Sequence, residues 1–105
     1  MSHISVCFAV YQNQGALTRL YEEITYELTT HFPNDTYELL FVNDGSKDES
    51  LKELIELNKK DNHVKIISFS RNFGQMAAIL AGWENATGDV VINMAADLQD
   101  PPKQV

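Results

Sequence analysis

The chain has 105 residues, enough for one small domain, and its 44% hydrophobic and 22% charged content is ordinary for a folded protein, which excludes a disordered segment. A formal net charge of −7, from 15 acidic and 8 basic residues, excludes the basic stripe a nucleic-acid surface needs. The same charge repels phosphate ligands unless a divalent cation stands between them. The single cysteine, Cys7, lies in an apolar run and reads as a buried thiol; without a disulfide framework the chain suits a reducing compartment. No basic region followed by an apolar stretch opens the chain, and no window approaches the roughly 18 apolar residues of a membrane span. A cytoplasmic location is expected.

Ile4 to Val10 is a near-continuous β-prone run, too short for a helix, and reads as a strand buried on both faces. A polar loop, Tyr11 to Gly15, follows. Leu17, Leu20, Tyr21, Ile24 and Leu28 then recur at helical spacing, with Glu22, Glu23 and Glu27 on a solvated face. Phe32-Pro33-Asn34-Asp35 stops that helix. Tyr37 to Asn43 is the second strand. Ser46 or Asp48 can cap the next helix, expected over about 48–60 with Leu51, Leu54, Ile55 and Asn58 on one side. Val64 to Ser70 is a third strand, and Arg71 to Gly74 a loop. The third helix, roughly 75–87, is rich in small residues (Ala77, Ala78, Ala81, Gly82) that allow close approach to a sheet; Met76, Leu80 and Trp83 share a face and read as core. Gly88 turns the chain into a fourth strand. His3, His31 and His63 are scattered and read as solvated surface residues.

Three strand–helix units and a final strand predict an α/β fold, a mainly parallel sheet with helices on both faces and right-handed crossovers. In such a sheet the ligand crevice lies outside the C-terminal strand ends, where strand order reverses. Four loops qualify: Tyr11 to Gly15, Asn43 to Ser46, Arg71 to Gly74 and Ala95 to Asp100. The glycine pattern of a dinucleotide site is absent after the first strand, and so is a P-loop. No Ser–His–Asp or Cys–His set stands on these loops. Asp44 can accept hydrogen bonds from a base or ribose, or Asp44-Gly45-Ser46 is simply a turn that caps the following helix. After the fourth strand, Asp97, Gln99 and Asp100 offer only oxygen ligands, which suit Mg2+ or Mn2+ bridging a carboxylate to a diphosphate.

At these residues the chain resembles the nucleotide-sugar-binding part of family 2 glycosyltransferases of the GT-A fold, and among them the polyprenyl-phosphate (dolichol-phosphate type) sugar transferases. The resemblance rests on Ala9-Val10-Tyr11-Gln12, on Val42-Asn43-Asp44-Gly45-Ser46, and on Arg71-Asn72-Phe73-Gly74-Gln75 through Asp97-Leu98-Gln99-Asp100-Pro101-Pro102, the last segment being the most specific. It covers the whole chain, while the acceptor-binding part of such a catalytic domain would lie beyond Val105. The resemblance implies a Rossmann-like sheet that binds a UDP- or GDP-linked sugar. Tyr11 would line the base and ribose pocket, Asp44 would contact the base, and Arg71 would lie near the nucleotide. Asp97 would hold the metal, with Gln99 as second ligand. It implies inverting transfer to a lipid phosphate or saccharide acceptor by a membrane-associated parent protein; no catalytic base is assignable.

Three departures from the family pattern stand out. Ala95-Ala96-Asp97 replaces the usual Asp-x-Asp, Asn43 replaces the first Asp of the second motif, and Ala9 and Gln12 replace a Pro and an Asn of the first. Ala95 leaves open a non-catalytic nucleotide-binding module with a degenerate motif. A nucleotidyltransferase ranks last, because Tyr11 to Gly15 carries no lysine or arginine. A sheet ending at the fourth strand also leaves an apolar edge, and self-association through it is expected.

Overall fold

The computed structural model describes residues 2–96. Its elements alternate as β1 (His3–Val10), α1 (Leu17–His31), β2 (Thr36–Asn43), α2 (Ser50–Lys60), β3 (Val64–Ser68), α3 (Gln75–Asn85) and β4 (Val90–Ala95). The strands form one parallel sheet in the order β3-β2-β1-β4. This is the α/β architecture expected, with shorter ends: β3 stops at Ser68, and α3 ends at Asn85, where Ala86 is already extended.

Alternation along β1 assigns the faces. Ile4, Val6, Phe8 and Val10 join Leu17, Leu20, Ile24 and Leu28 of α1 and Leu54 and Leu57 of α2 in one core cluster. Phe8 and Phe41, paired across β1 and β2, stack at 4.7 Å between ring centroids. Cys7 points to the other face, toward α3: a Cβ built on Gly82 would stand 3.1 Å from Cys7 Cβ and 3.3 Å from its Sγ. Helices therefore cover both faces. Burial and the nearby Glu38 charge push the Cys7 thiol above its ordinary pKa, so it stays protonated in the core.

That close approach inverts one sequence expectation. Met76, Leu80 and Trp83 are not core; they are 67%, 45% and 53% exposed, while Ala78 and Gly82 face the sheet. Only small residues fit where α3 crosses β1 and β2, so the large apolar side chains are turned outward. The buried stripe of α2 is likewise displaced, to Ser50, Leu54 and Leu57, leaving Ile55 exposed. His3 is also not a plain surface residue, since it is half-buried with its ring nitrogens beside the hydroxyls of Thr36 and Thr87.

The strand order fixes the crevice. From β1 the chain steps to β2 and β3 in one direction, then returns past β1 to place β4 on its far side. A right-handed connection that reverses direction must cross the opposite face, which is where α3 lies. The loop leaving β1 therefore leads to α1 on one face and the loop leaving β3 to α3 on the other, and a gap opens beside β1 at the C-terminal strand ends. At the other end of the sheet the ends are tied shut. Glu38 accepts hydrogen bonds from Ser5 Oγ (2.6 Å), Thr87 N (2.8 Å) and Thr87 Oγ1 (3.0 Å), and Gly88 N donates to Ser5 Oγ (2.9 Å).

Candidate functional site

A cleft of about 460 Å³ occupies that gap, a volume in the range of small-molecule sites. Every strand end but one lines it directly: Ala9, Val10, Tyr11 and Asn13 from β1 and its loop, Asp44 from β2, and Ala96 after β4. Asn72, Gly74 and Gln75, at the start of α3, complete it. Among the described residues no lysine, arginine or histidine contributes to the lining, so a diphosphate there needs its charge balanced from elsewhere.

Asp44 is the carboxylate of this cleft, and it is 3% exposed. It does not cap α2. Its Oδ2 accepts from Asn72 Nδ2 (3.0 Å) and Gly74 N (3.1 Å), and its Oδ1 accepts from Phe73 N (2.8 Å). These donors lie at the N-terminal end of α3, whose N-cap, Gly74, has no side chain to serve the purpose. A carboxylate has about four acceptor sites, and among the described residues Oδ1 has only one donor, so a lone pair there remains for a ligand. Gly45, at φ 69°, lets the β2 loop lie directly on the Arg71–Asn72 peptide; a Cβ there would stand 2.1 Å from Arg71 C. The second and third loops are thus one rigid unit. Asn43, 2% exposed, adds to it by donating to Ser68 Oγ and accepting from Ser46 N.

Of the residues singled out in the sequence, Tyr11 and Asp44 are brought together in the cleft. Arg71 does not line it. Its guanidinium is exposed and sits 4.8 Å over the Phe73 ring, a cation–π contact. Asp97, Gln99 and Asp100 lie outside the described residues, and no group of three or more His, Cys, Asp and Glu among the described residues could hold a metal. Asn13, Asn72 and Gln75 were not named individually from the sequence. Asn13 was signalled only by its place in the loop after β1, and Asn72 and Gln75 only by the Arg71-Asn72-Phe73-Gly74-Gln75 segment of the resemblance.

The model of the family "Glycosyl transferase family 2" matches residues 5–105. An uncharacterized glycosyltransferase of Synechocystis sp. is 40% identical over 97% of this chain and 31% of its own length. The undecaprenyl-phosphate 4-deoxy-4-formamido-L-arabinose transferase of Proteus mirabilis is 42% identical over 100% of this chain and 32% of its own. The chain thus spans about a third of the length of the curated relatives it matches. Among solved structures, the mannosyltransferase PcManGT from Pyrobaculum calidifontis in complex with GDP-Man and Mn2+ superposes with a TM-score of 0.80 at 19% identity, covering 91% of this chain and 28% of that one. S. aureus TarS superposes with a TM-score of 0.75 at 23% identity, covering 90% and 16%. The fold is that of the GT-A glycosyltransferases, and with the family model spanning nearly every residue, the chain belongs to glycosyl transferase family 2.

Proposed function

We propose that residues 1–105 are the donor-binding part of an inverting glycosyltransferase, which transfers a sugar from a UDP- or GDP-linked donor to a polyprenyl-phosphate or saccharide acceptor. The observation that carries this reading is the cleft at the reversal of strand order, with Tyr11 at its rim and the Asp44 carboxylate in its wall. Tyr11 packs against the base and ribose. The free lone pair of Asp44 Oδ1 accepts one N–H from the base, which both uracil and guanine supply. Arg71, anchored through Gly45 and Phe73, lies near the nucleotide at the mouth.

The charge problem of the cleft supports a divalent cation, Mg2+ or Mn2+, held by Asp97 with Gln99 as second ligand. These are oxygen donors of the kind such ions prefer. Bound there, the cation would neutralise charge on the departing nucleoside diphosphate. The structural neighbour in complex with GDP-Man and Mn2+ supports this choice. A lipid-phosphate acceptor, as in the name of the Proteus relative, brings an oxygen already ionised at pH 7 and needs little help from a base. A hydroxyl acceptor needs a carboxylate base, which belongs to the part of the parent protein that binds acceptor. That parent works at the cytoplasmic face of a membrane, although no helix among the described residues is long and apolar enough to cross one.

Ala95 favours a second reading, a non-catalytic nucleotide-binding module, because alanine cannot supply the carboxylate usual at that position. Calorimetric titration with UDP, GDP and their sugar conjugates, with and without Mn2+, tests the donor site. Metal-dependent binding abolished by Asp97→Ala is expected; equal binding without metal refutes the role of Asp97. Donor hydrolysis by the full-length parent separates enzyme from binding module.

A further inference from the structure

The loop after β1 is held in an unusual way. Five consecutive backbone N–H groups, Tyr11 to Gly15, donate to side-chain oxygens. Tyr11 N donates to Asn13 Oδ1 (2.8 Å) within the loop. The other four go to the start of α2 and the turn before it: Gln12 N to Ser46 Oγ (2.9 Å), Asn13 N to Ser50 Oγ (2.9 Å), Gln14 N to Asp48 Oδ2 (3.3 Å) and Gly15 N to Glu53 Oε1 (2.9 Å). Glu49 N answers by donating to Gln14 Oε1 (3.1 Å). Glu53 also accepts from Thr18 N (2.8 Å) and Thr18 Oγ1 (2.7 Å), capping α1, whose own N-cap Ala16 has no side chain able to do so.

This ladder holds a conformation the loop would not keep alone. Gln12 sits at φ 54°, in the left-handed region that side chains other than glycine and asparagine avoid, and such a residue persists where its surroundings over-determine it. Released, the loop would relax and carry Tyr11 and Asn13, two of the lining residues, out of place. Ser50 is fully buried and stands where an apolar residue would ordinarily complete the α2 stripe. Its hydroxyl serves the loop at the expense of the core.

We propose that Ser46, Ser50 and Glu53, none of which lines the cleft, are positioning residues that preorganise its β1-side wall for the nucleoside part of the donor. The assignment rests on the donor-site reading above. A preformed wall spares the ligand the cost of ordering the loop, so the hydrogen bonds act on affinity as well as on stability.

The test uses the chain with UDP and GDP as probes in the presence of Mn2+. Ser46→Ala and Glu53→Gln each remove loop acceptors and should weaken binding about fivefold, the equivalent of one net hydrogen bond. Ser46→Thr keeps the hydroxyl at a half-buried position and should restore binding. Ile24→Val, in the core side of α1, should lower the melting temperature while leaving affinity unchanged. Amide exchange on the ligand-free chain should show Gln12 to Gly15 protected in the wild type and Gln12 unprotected in Ser46→Ala. Wild-type binding with an unchanged Ser46→Ala affinity overturns this assignment alone, as do unprotected wild-type amides at Gln12 to Gly15. Failure of the wild type to bind either nucleotide overturns the donor-site reading and this role with it.

Discussion

Asp44→Asn is the substitution that most sharply separates a structural from a purely ligand-reading role for the cleft carboxylate. The amide is nearly isosteric, so packing is kept and only hydrogen bonding and charge change. Two donors face Oδ2 and one faces Oδ1, so the less costly orientation keeps the amide oxygen toward Asn72 Nδ2 and Gly74 N. The amide nitrogen then opposes Phe73 N. One hydrogen bond to a charged acceptor is lost and a backbone donor is left without a partner in a site 3% exposed, a cost of about 1.5–3 kcal/mol. For a domain of this size 2 kcal/mol corresponds to a fall in melting temperature of roughly 8–16 °C. Urea unfolding followed by circular dichroism at pH 7 measures it directly. A loss below about 0.5 kcal/mol, the scatter of inert surface changes, would refute the claim that Asp44 anchors the start of α3.

Gly45→Ala combines a left-handed φ of 69° with a Cβ 2.1 Å from Arg71 C; we expect a loss of at least about 2 kcal/mol in the same unfolding experiment, and no significant change would contradict the loop contact. Burial raises the pKa of Glu38, Asp48 and Asp61, but the hydrogen bonds each accepts outweigh it and hold all three below their ordinary values. Because the folded pKa is the lower one, their contribution is complete above about pH 4.5 and is lost as pH falls through the folded values. Stability should therefore be flat from neutral pH down to about pH 5 and then drop, and Glu38→Gln should flatten the acid limb. The β4 edge exposes Val90, Val91 and Ile92 at 46%, 41% and 41%, side chains that by alternation lie on both faces of the strand. Light scattering should find concentration-dependent self-association relieved by Ile92→Lys, and a monodisperse monomer at high concentration would count against it.

The strands were legible because each is a short apolar run, and the crevice because a parallel sheet leaves few places for one. The helix faces were harder. In α3 a pattern rule sends Met76, Leu80 and Trp83 inward, but the narrow gap above Cys7 admits only Ala78 and Gly82, and steric fit decided. In α2 the buried stripe begins at Ser50, a polar residue whose partner Asn13 lies 37 positions away. Asp44 was weighed as a base contact or a cap for the next helix in sequence; of the two helices its carboxylate serves α3, not α2, through donors 28–30 residues distant. Hydrogen bonds between loops of different strands have no local signature, so the tie between the β1 and β2 loops could not be read from spacing. The expectation that Asp97 and Gln99 ligate a metal lies outside the described residues.

The central claim, that the gap between β1 and β4 takes a nucleoside diphosphate, is tested most directly by amide chemical-shift mapping of the chain titrated with UDP or GDP and Mg2+. Shifts concentrated at Tyr11 to Asn13, Asp44, Asn72 to Gln75 and Ala96, with Mn2+ in place of Mg2+ broadening Asp97 most strongly, are the predicted result. Shifts centred instead on the opposite end of the sheet, around Ser5, Glu38 and Thr87, or no shifts at saturating nucleotide, would contradict it.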